Sequence, residues 1–230
     1  MKRVLEDDST EDDKWKVYNN LSTLNLVNDY FLKRALELCP KGRVLDVGCG
    51  TGRMLNSITG DYDKHGLDID ERVIRYARER DRSTNYQIGD SNDLPYETAS
   101  FDLVICHSLL HHLPNTGKTI DEMLRVARPE GATFIRDLSR PSNEEVLERF
   151  YLGFLAFHYD ETNKNLFRKS LKSSFSFEEW KHIFDRKLQT ERLFFYNIAE
   201  RPAKHIQLDI EKRRLEAVEF TLKRLTHSFT

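Results

Sequence analysis

The residues Val44-Leu45-Asp46-Val47-Gly48-Cys49-Gly50-Thr51-Gly52 constrain this chain more than any other stretch. Apolar residues surround a single acid and glycine then recurs at every second position, as in a buried parallel strand whose following loop brings bare backbone against a ligand. Met54, Leu55 and Ile58 follow at helical spacing. The loop therefore opens a helix whose N-terminal N–H groups face the same place. The spacing is GxGxG with Asp46 two residues ahead of the first glycine, which differs from the GxGxxG of dinucleotide enzymes.

Further pieces follow in order. Lys64 to Asp70 reads as a second strand ending in acid. Asp68, about twenty residues after the first glycine, stands where a strand-tip carboxylate accepts both hydroxyls of an adenosine ribose. Asp70 reads as the N-cap of a helix over Glu71 to Arg80, with Val73, Ile74 and Ala77 facing inward. Tyr86 to Asp90 is a third strand, followed by Ser91-Asn92-Asp93-Leu94-Pro95. Phe101 to Cys106 is a fourth, with the tail His107-Ser108-Leu109-Leu110-His111-His112-Leu113. Asp121 to Ala127 supplies another helix face, Arg128-Pro129-Glu130-Gly131 turns the chain, and Ala132 to Ile135 is a fifth strand with Asp137 just past its end.

Taken in register, these segments resemble the class I S-adenosylmethionine-dependent methyltransferases of the small-molecule type. The resemblance implies a Rossmann-like, doubly wound α/β fold. Its sheet is seven-stranded and mostly parallel with an antiparallel last strand, joined by an N-terminal helix and an aromatic-rich helical cap. It also implies S-adenosylmethionine as cofactor. Asp46 would hold the loop and reach the cofactor's amino group through water. Gly48, Cys49 and Gly50 would admit the methionine, Asp68 would take the ribose, and Ile69 would pack on adenine. Asp90 with Ser91 would meet the adenine amino group, the backbone at His107 would lie against the methionine, and Tyr18 of the N-terminal helix would line the site. Local readings compete: Asp90 suits an Asx-turn, and Tyr18 and Tyr30 suit plain packing. Relatives carry a second glycine where Glu130 stands, a departure confined to the turn.

Methyl transfer from a sulfonium needs the reactants positioned and does not require a dedicated acid or base. Where a base helps, the candidates on strand tips or the cap are His107, His111, Asp137, Tyr151 and His158. His107, His111 and His112 lie close together, but no further ligands at workable spacing support a metal, and none is expected. The acceptor is read as a small molecule, apolar or aromatic in view of the cap. The alternatives are a tRNA, rRNA or protein methyltransferase, or a cofactor-binding regulator that performs no transfer. Against nucleic acid, Lys+Arg 36 and Asp+Glu 38 give a net charge of -2, so no basic field surrounds the chain. The strand-four tail also differs from the N/D-P-P-Y type used on base amines.

With 230 residues the chain suits one domain. Its parts are an acidic mobile tail over 1–14, an N-terminal helical cap over 15–39 and a cofactor-binding core over 40–138. A cap insertion follows over 139–180, then last strands and a C-terminal helix over 181–230. Aromatic residues crowd the run from Phe150 to Trp180, marking an insertion with its own packing, and Ser176 to Glu179 forms a capping box. Glu191 to Asn197 and His205 to Ile210 read as an antiparallel pair, and Glu211 to Thr226 as a closing helix. Cys39, Cys49 and Cys106 show no disulfide or metal spacing. No signal peptide or membrane span is evident, so the expected location is the cytoplasm.

Overall fold

The computed structural model describes residues 31–140, 143, 161–185, 192–196 and 217–222. Strands β1 (Gly42–Val47), β2 (Tyr62–Asp68), β3 (Asn85–Ile88), β4 (Phe101–His107) and β5 (Ala127–Arg140) lie in the order β3-β2-β1-β4-β5, all parallel. Two more strands continue the sheet, β7 (Arg192–Tyr196) and β8 (Ala217–Leu222). β8 runs antiparallel between β5 and β7. A short β6 (Phe175–Ser176) pairs with the end of β5.

Helices cover both faces. On one face α1 (31–38), α2 (Arg53–Ser57) and α3 (Glu71–Arg80) pack Phe31, Leu55 and Ile74 against Val44, Ile105 and Phe134. On the other, α4 (Thr116–Val126) and α6 (Phe177–Asp185) pack Ile120, Met123, Trp180 and Phe184 against Leu45, Val47, Val104 and Ile135. Neighbouring strand residues thus enter opposite cores, so Val44 to Val47 and Leu103 to Cys106 are all buried and the sequence there reads as nearly continuous apolar runs. Helix α5 (Glu161–Ser173), which periodicity did not reveal, precedes β6.

Local signals in the sequence hold where they are strongest. The Asp70 side chain caps α3 by accepting from the Arg72 N–H. Ser176 and Glu179 exchange backbone-to-side-chain hydrogen bonds at 2.7 and 3.3 Å, a complete capping box.

Three expectations need correction. Residues 128–131, read as the turn before the strand, fall inside β5 as an irregularity between the pairs Phe101–Ala127 and Leu103–Ala132, with Gly131 close to the Arg128 carbonyl. The expected closing helix contains β8: Ala217 to Leu222 also alternates at period two, and pairing with β5 and β7 selects the strand. Phe175 and Trp180 do not pack within a separate insertion. Trp180 is fully buried in the main core and its indole N–H donates to the Leu138 carbonyl at 3.0 Å. The expected strand over His205 to Ile210 lies outside the described residues.

Candidate active site

The chain leaves β1 towards one side of the sheet and β4 towards the other, so the carboxyl ends of these strands form the switch point, the usual ligand position in open α/β sheets. The glycine loop lines it. Gly48, Gly50 and Gly52 have φ of 77°, 51° and 73°, values that side-chain-bearing residues adopt at a cost. The N–H groups of Gly48 and Cys49 both donate to the Leu67 carbonyl, at 2.8 and 3.0 Å. The three glycines differ in what surrounds them. A Cβ at Gly48 would meet the Leu109 side chain at 2.8 Å, and one at Gly52 would meet the Tyr86 ring at 2.6 Å. At Gly50 nothing lies within 4 Å. Two glycines therefore admit protein neighbours and the middle one borders open space.

Two carboxylates flank the loop. Asp46 is fully buried in β1 and neither of its oxygens has a hydrogen-bond partner. Burial, assisted by Asp68, pushes its carboxyl up to about 8. Asp68, at the end of β2, accepts from the Gly50 N–H at 2.9 Å and the Asp70 N–H at 3.0 Å, fixing loop to strand. Burial raises its carboxyl too, against the pull of those two donors. The Cys49 thiol is buried and pushed well up by that burial and by both acids.

The remaining adenine-side candidates are spread over the ends of β2 and β3. Ile69 and Ile88 are large apolar residues left exposed there, Ile69 to 73%. Asp90 is exposed, and its Oδ1 accepts from the Asn92 backbone and side chain at 2.8 and 3.1 Å, so the Asx-turn is present. Ser91 is buried and its hydroxyl shares a hydrogen bond with Thr119 of α4 at 3.2 Å, facing the helix layer. Tyr18, Tyr30, Tyr151 and His158 lie outside the described residues. Among the described residues no cluster of three or more metal-ligating side chains occurs.

The wall opposite the loop is the tail of β4. Ser108 has φ 57°, a strained value for a residue with a side chain, and its N–H donates to the Arg136 carbonyl at 2.9 Å. The ring of His107 packs on Phe31 of α1, with centroids 4.9 Å apart, and its Nε2 is 3.0 Å from the Arg136 guanidinium. Arginine has no acceptor, so Nε2 supplies the lone pair. Burial and the Arg136 charge press the imidazole down to about 3, leaving it neutral with that lone pair engaged, a poor arrangement for a base.

His111 and Asp137 form a buried pair, Nδ1 to Oδ1 at 2.5 Å. Asp137 Oδ2 also takes the Leu110 N–H at 2.7 Å, and Oδ1 the Leu138 N–H at 2.7 Å. Interaction with His111 and these donors holds the Asp137 carboxyl below its ordinary range despite burial. One carboxylate at the end of β5 thus fixes the short 3-10 turn Leu110–His112 that follows β4. Sequence reasoning brought out both members of this pair but missed Ser108, Leu109 and Arg136. Their roles depend on contacts with distant segments that local spacing does not encode.

The chain is similar to several known proteins. The ubiquinone biosynthesis O-methyltransferase of Coxiella burnetii is 30% identical over 139 residues, which is 56% of this chain and 58% of that protein. The 27-O-demethylrifamycin SV methyltransferase of Amycolatopsis mediterranei is 33% identical over 110 residues, 44% of this chain and 40% of that one. The chain thus spans 58% and 40% of the lengths of these two curated relatives. Among solved structures, the plantazolicin methyltransferase BpumL in complex with SAH has the same fold, with a TM-score of 0.67 at 17% identity over 94% of this chain and 91% of that chain. Residues 39–191, from the end of α1 to the start of β7, match the methyltransferase domain family, and the chain belongs to that family.

Proposed function

We propose that this chain transfers the methyl group of S-adenosylmethionine to a small-molecule acceptor. The observation that carries the reading is Asp46, a buried carboxylate without a partner near the end of β1, just ahead of a loop that leaves open space at Gly50. A buried acid without a donor is costly, so its presence fits a ligand that brings one. The ammonium group of the methionine moiety is such a donor. In this reading the methionine lies along Gly50 and the backbone at His107, Asp68 accepts the ribose hydroxyls, and Ile69 and Ile88 flank the adenine. Asp90 accepts the adenine amino group from its turn. The names of the relatives, an O-methyltransferase and a rifamycin methyltransferase, support a small-molecule acceptor.

When bound, S-adenosylmethionine supplies a methyl group on positively charged sulfur, open to in-line displacement. The residues of this chain act by orientation. The glycine loop and Asp68 set the donor, and the β4 tail, held by Asp137, sets the wall between donor and acceptor. Well-oriented reactants save roughly 7–11 kcal/mol of barrier, so positioning alone supports catalysis.

We assign the chain to one methyltransferase domain, with α1, the described end of the N-terminal helical segment, beside the β4 tail and with the segment after β5 rejoining the sheet at β6. Two contacts support this arrangement. Phe31 of α1 lies on His107, and the segment after β5 leaves at Arg140 and returns where β6 pairs with Ser139 and Arg140. The test is calorimetric titration of S-adenosylhomocysteine onto the wild type and Asp68→Ala. Loss of hydrogen bonds to a charged acceptor, about 1.5–3 kcal/mol each, gives at least a tenfold weaker complex. Unchanged affinity refutes the assignment of Asp68.

A further inference from the structure

Asp46 is distinguished from the other acids near the site by having no compensation. Its strand is central: Asp46 pairs with Gly66 of β2 on one side and Ile105 of β4 on the other, and Ile105 continues the row to Phe134 of β5. Its side chain is fully buried and no protein donor bonds its oxygens. Asp68 has two backbone donors, Asp137 has a histidine and backbone donors, and Asp70 has Arg72.

The groups that share its surroundings do not offset its charge. Asp68 at the end of β2 opposes it, and Cys49 of the loop, Tyr86 of β3 and Cys106 of β4 are acids on which it acts in turn. The cations on the elements around it are placed elsewhere. Arg34 of α1 pairs with Glu37, and Arg136 of β5 contacts His107, two residues beyond the Asp46 row. Arg53 opens α2 without bonding Asp46. An ionised carboxylate in such a place costs several kcal/mol, and protonation is the available relief.

We infer that Asp46 carries a proton in the ligand-free site and gives it up to solvent when a ligand's ammonium group docks beside it, so that donor binding is coupled to release of one proton. The inference rests on the methyl-donor reading above. In the exchange the O–H bond of the Asp46 carboxyl breaks, its proton passes to buffer, and the carboxylate left behind accepts from the ligand's N–H. The ligand keeps all its own protons. A carboxyl pushed up to about 8 by burial is mostly protonated in the ligand-free site at pH 7. The consequence is a donor site whose occupancy falls on acidification.

The experiment is titration of S-adenosylhomocysteine onto the full chain at pH 7, in buffers of different ionisation enthalpy. The dependence of the apparent enthalpy on that quantity counts protons. The wild type releases close to one and Asp46→Asn close to none. The wild-type affinity also rises about tenfold from pH 6 to pH 7, the slope required by one linked proton. This series needs no variant and stands if Asp46→Asn does not fold. Tight binding with a buffer-independent enthalpy, or a wild-type affinity that ignores pH between 6 and 8, overturns the inference and leaves the methyl-donor reading intact. A proton still released by Asp46→Asn overturns the assignment to that residue. Absence of any binding by the wild type overturns the reading itself, and the inference with it.

Discussion

Alanine at Gly50 and alanine at Gly52 separate ligand binding from folding. Both glycines have left-handed backbone, so each replacement costs about 1–2 kcal/mol of conformational energy. At Gly50 the new methyl meets nothing within 4 Å. For a chain of this size 1 kcal/mol corresponds to about 2–4 °C, so Gly50→Ala melts roughly 2–8 °C lower. At Gly52 the methyl lands on the ring of Tyr86, a buried residue whose hydroxyl is hydrogen-bonded to Asn56 at 2.9 Å. Displacing that ring adds about 1–3 kcal/mol of overpacking and about 1 kcal/mol for the hydrogen bond. The total of roughly 3–6 kcal/mol corresponds to a fall of roughly 6–24 °C. Binding ranks the pair in the opposite sense once stability is discounted. Gly50→Ala, still folded, loses affinity for S-adenosylhomocysteine by more than about tenfold, over 1.4 kcal/mol, because its methyl occupies the ligand's space. Thermal melts and titration calorimetry on the purified variants read both quantities. Wild-type affinity in Gly50→Ala would refute the placement of the donor beside that residue, and equal melting losses would refute the packing argument at Gly52.

Three further outcomes are expected. The raised carboxyl of Asp46 binds its proton more tightly in the folded chain than in the unfolded one. Its stabilisation is therefore complete below the ordinary carboxylate range near pH 4 and is lost as pH rises towards 8, by up to about 1.4 kcal/mol per unit; chemical denaturation of the ligand-free protein across this window should show the slope, and Asp46→Asn should lack it. Asp137 has the opposite sign: its depressed carboxyl contributes above the ordinary range and that contribution disappears as pH falls through the depressed value, so Asp137→Asn, about 3 kcal/mol less stable at neutral pH, should show a shallower acid limb. Trp180→Phe removes the indole bond to the Leu138 carbonyl and part of a buried ring, lowering stability by about 1–3 kcal/mol in urea titrations without weakening donor affinity; a loss of affinity would place Trp180 in the site.

The glycine region and the helix caps were legible because their signals are local. A strand, a loop and a helix start lie within Val44 to Ile58, and Asp70 and Ser176 cap the helices that immediately follow them. Legibility ends where a residue depends on a distant partner. Nothing near Gly48 announces that Leu109 fills the hollow above it, and nothing near Gly52 announces Tyr86. Strand β5 was read as ending at Ile135, since Arg136, Asp137 and Ser139 look like surface residues. The structure buries all three and extends the strand to Arg140. Residues 217–222 satisfy a helical and an alternating pattern together, and only the open edge of β5 decides between them.

The contact between Leu109 and Gly48 has a consequence for how such a molecule changes over generations. Leu109 belongs to the segment that continues β4, and its side chain occupies the space a Cβ at Gly48 would need. Donor loop and β4 tail are therefore shaped as one piece. Substitutions that remodel the tail disturb the glycine loop as well, and the chain between Arg140 and Phe175 is joined to the sheet through Ser139, Arg140 and Glu179. The helix Glu161–Ser173 within that excursion also contacts β5 and the turn Leu110–His112, so a change there is felt at the same tail.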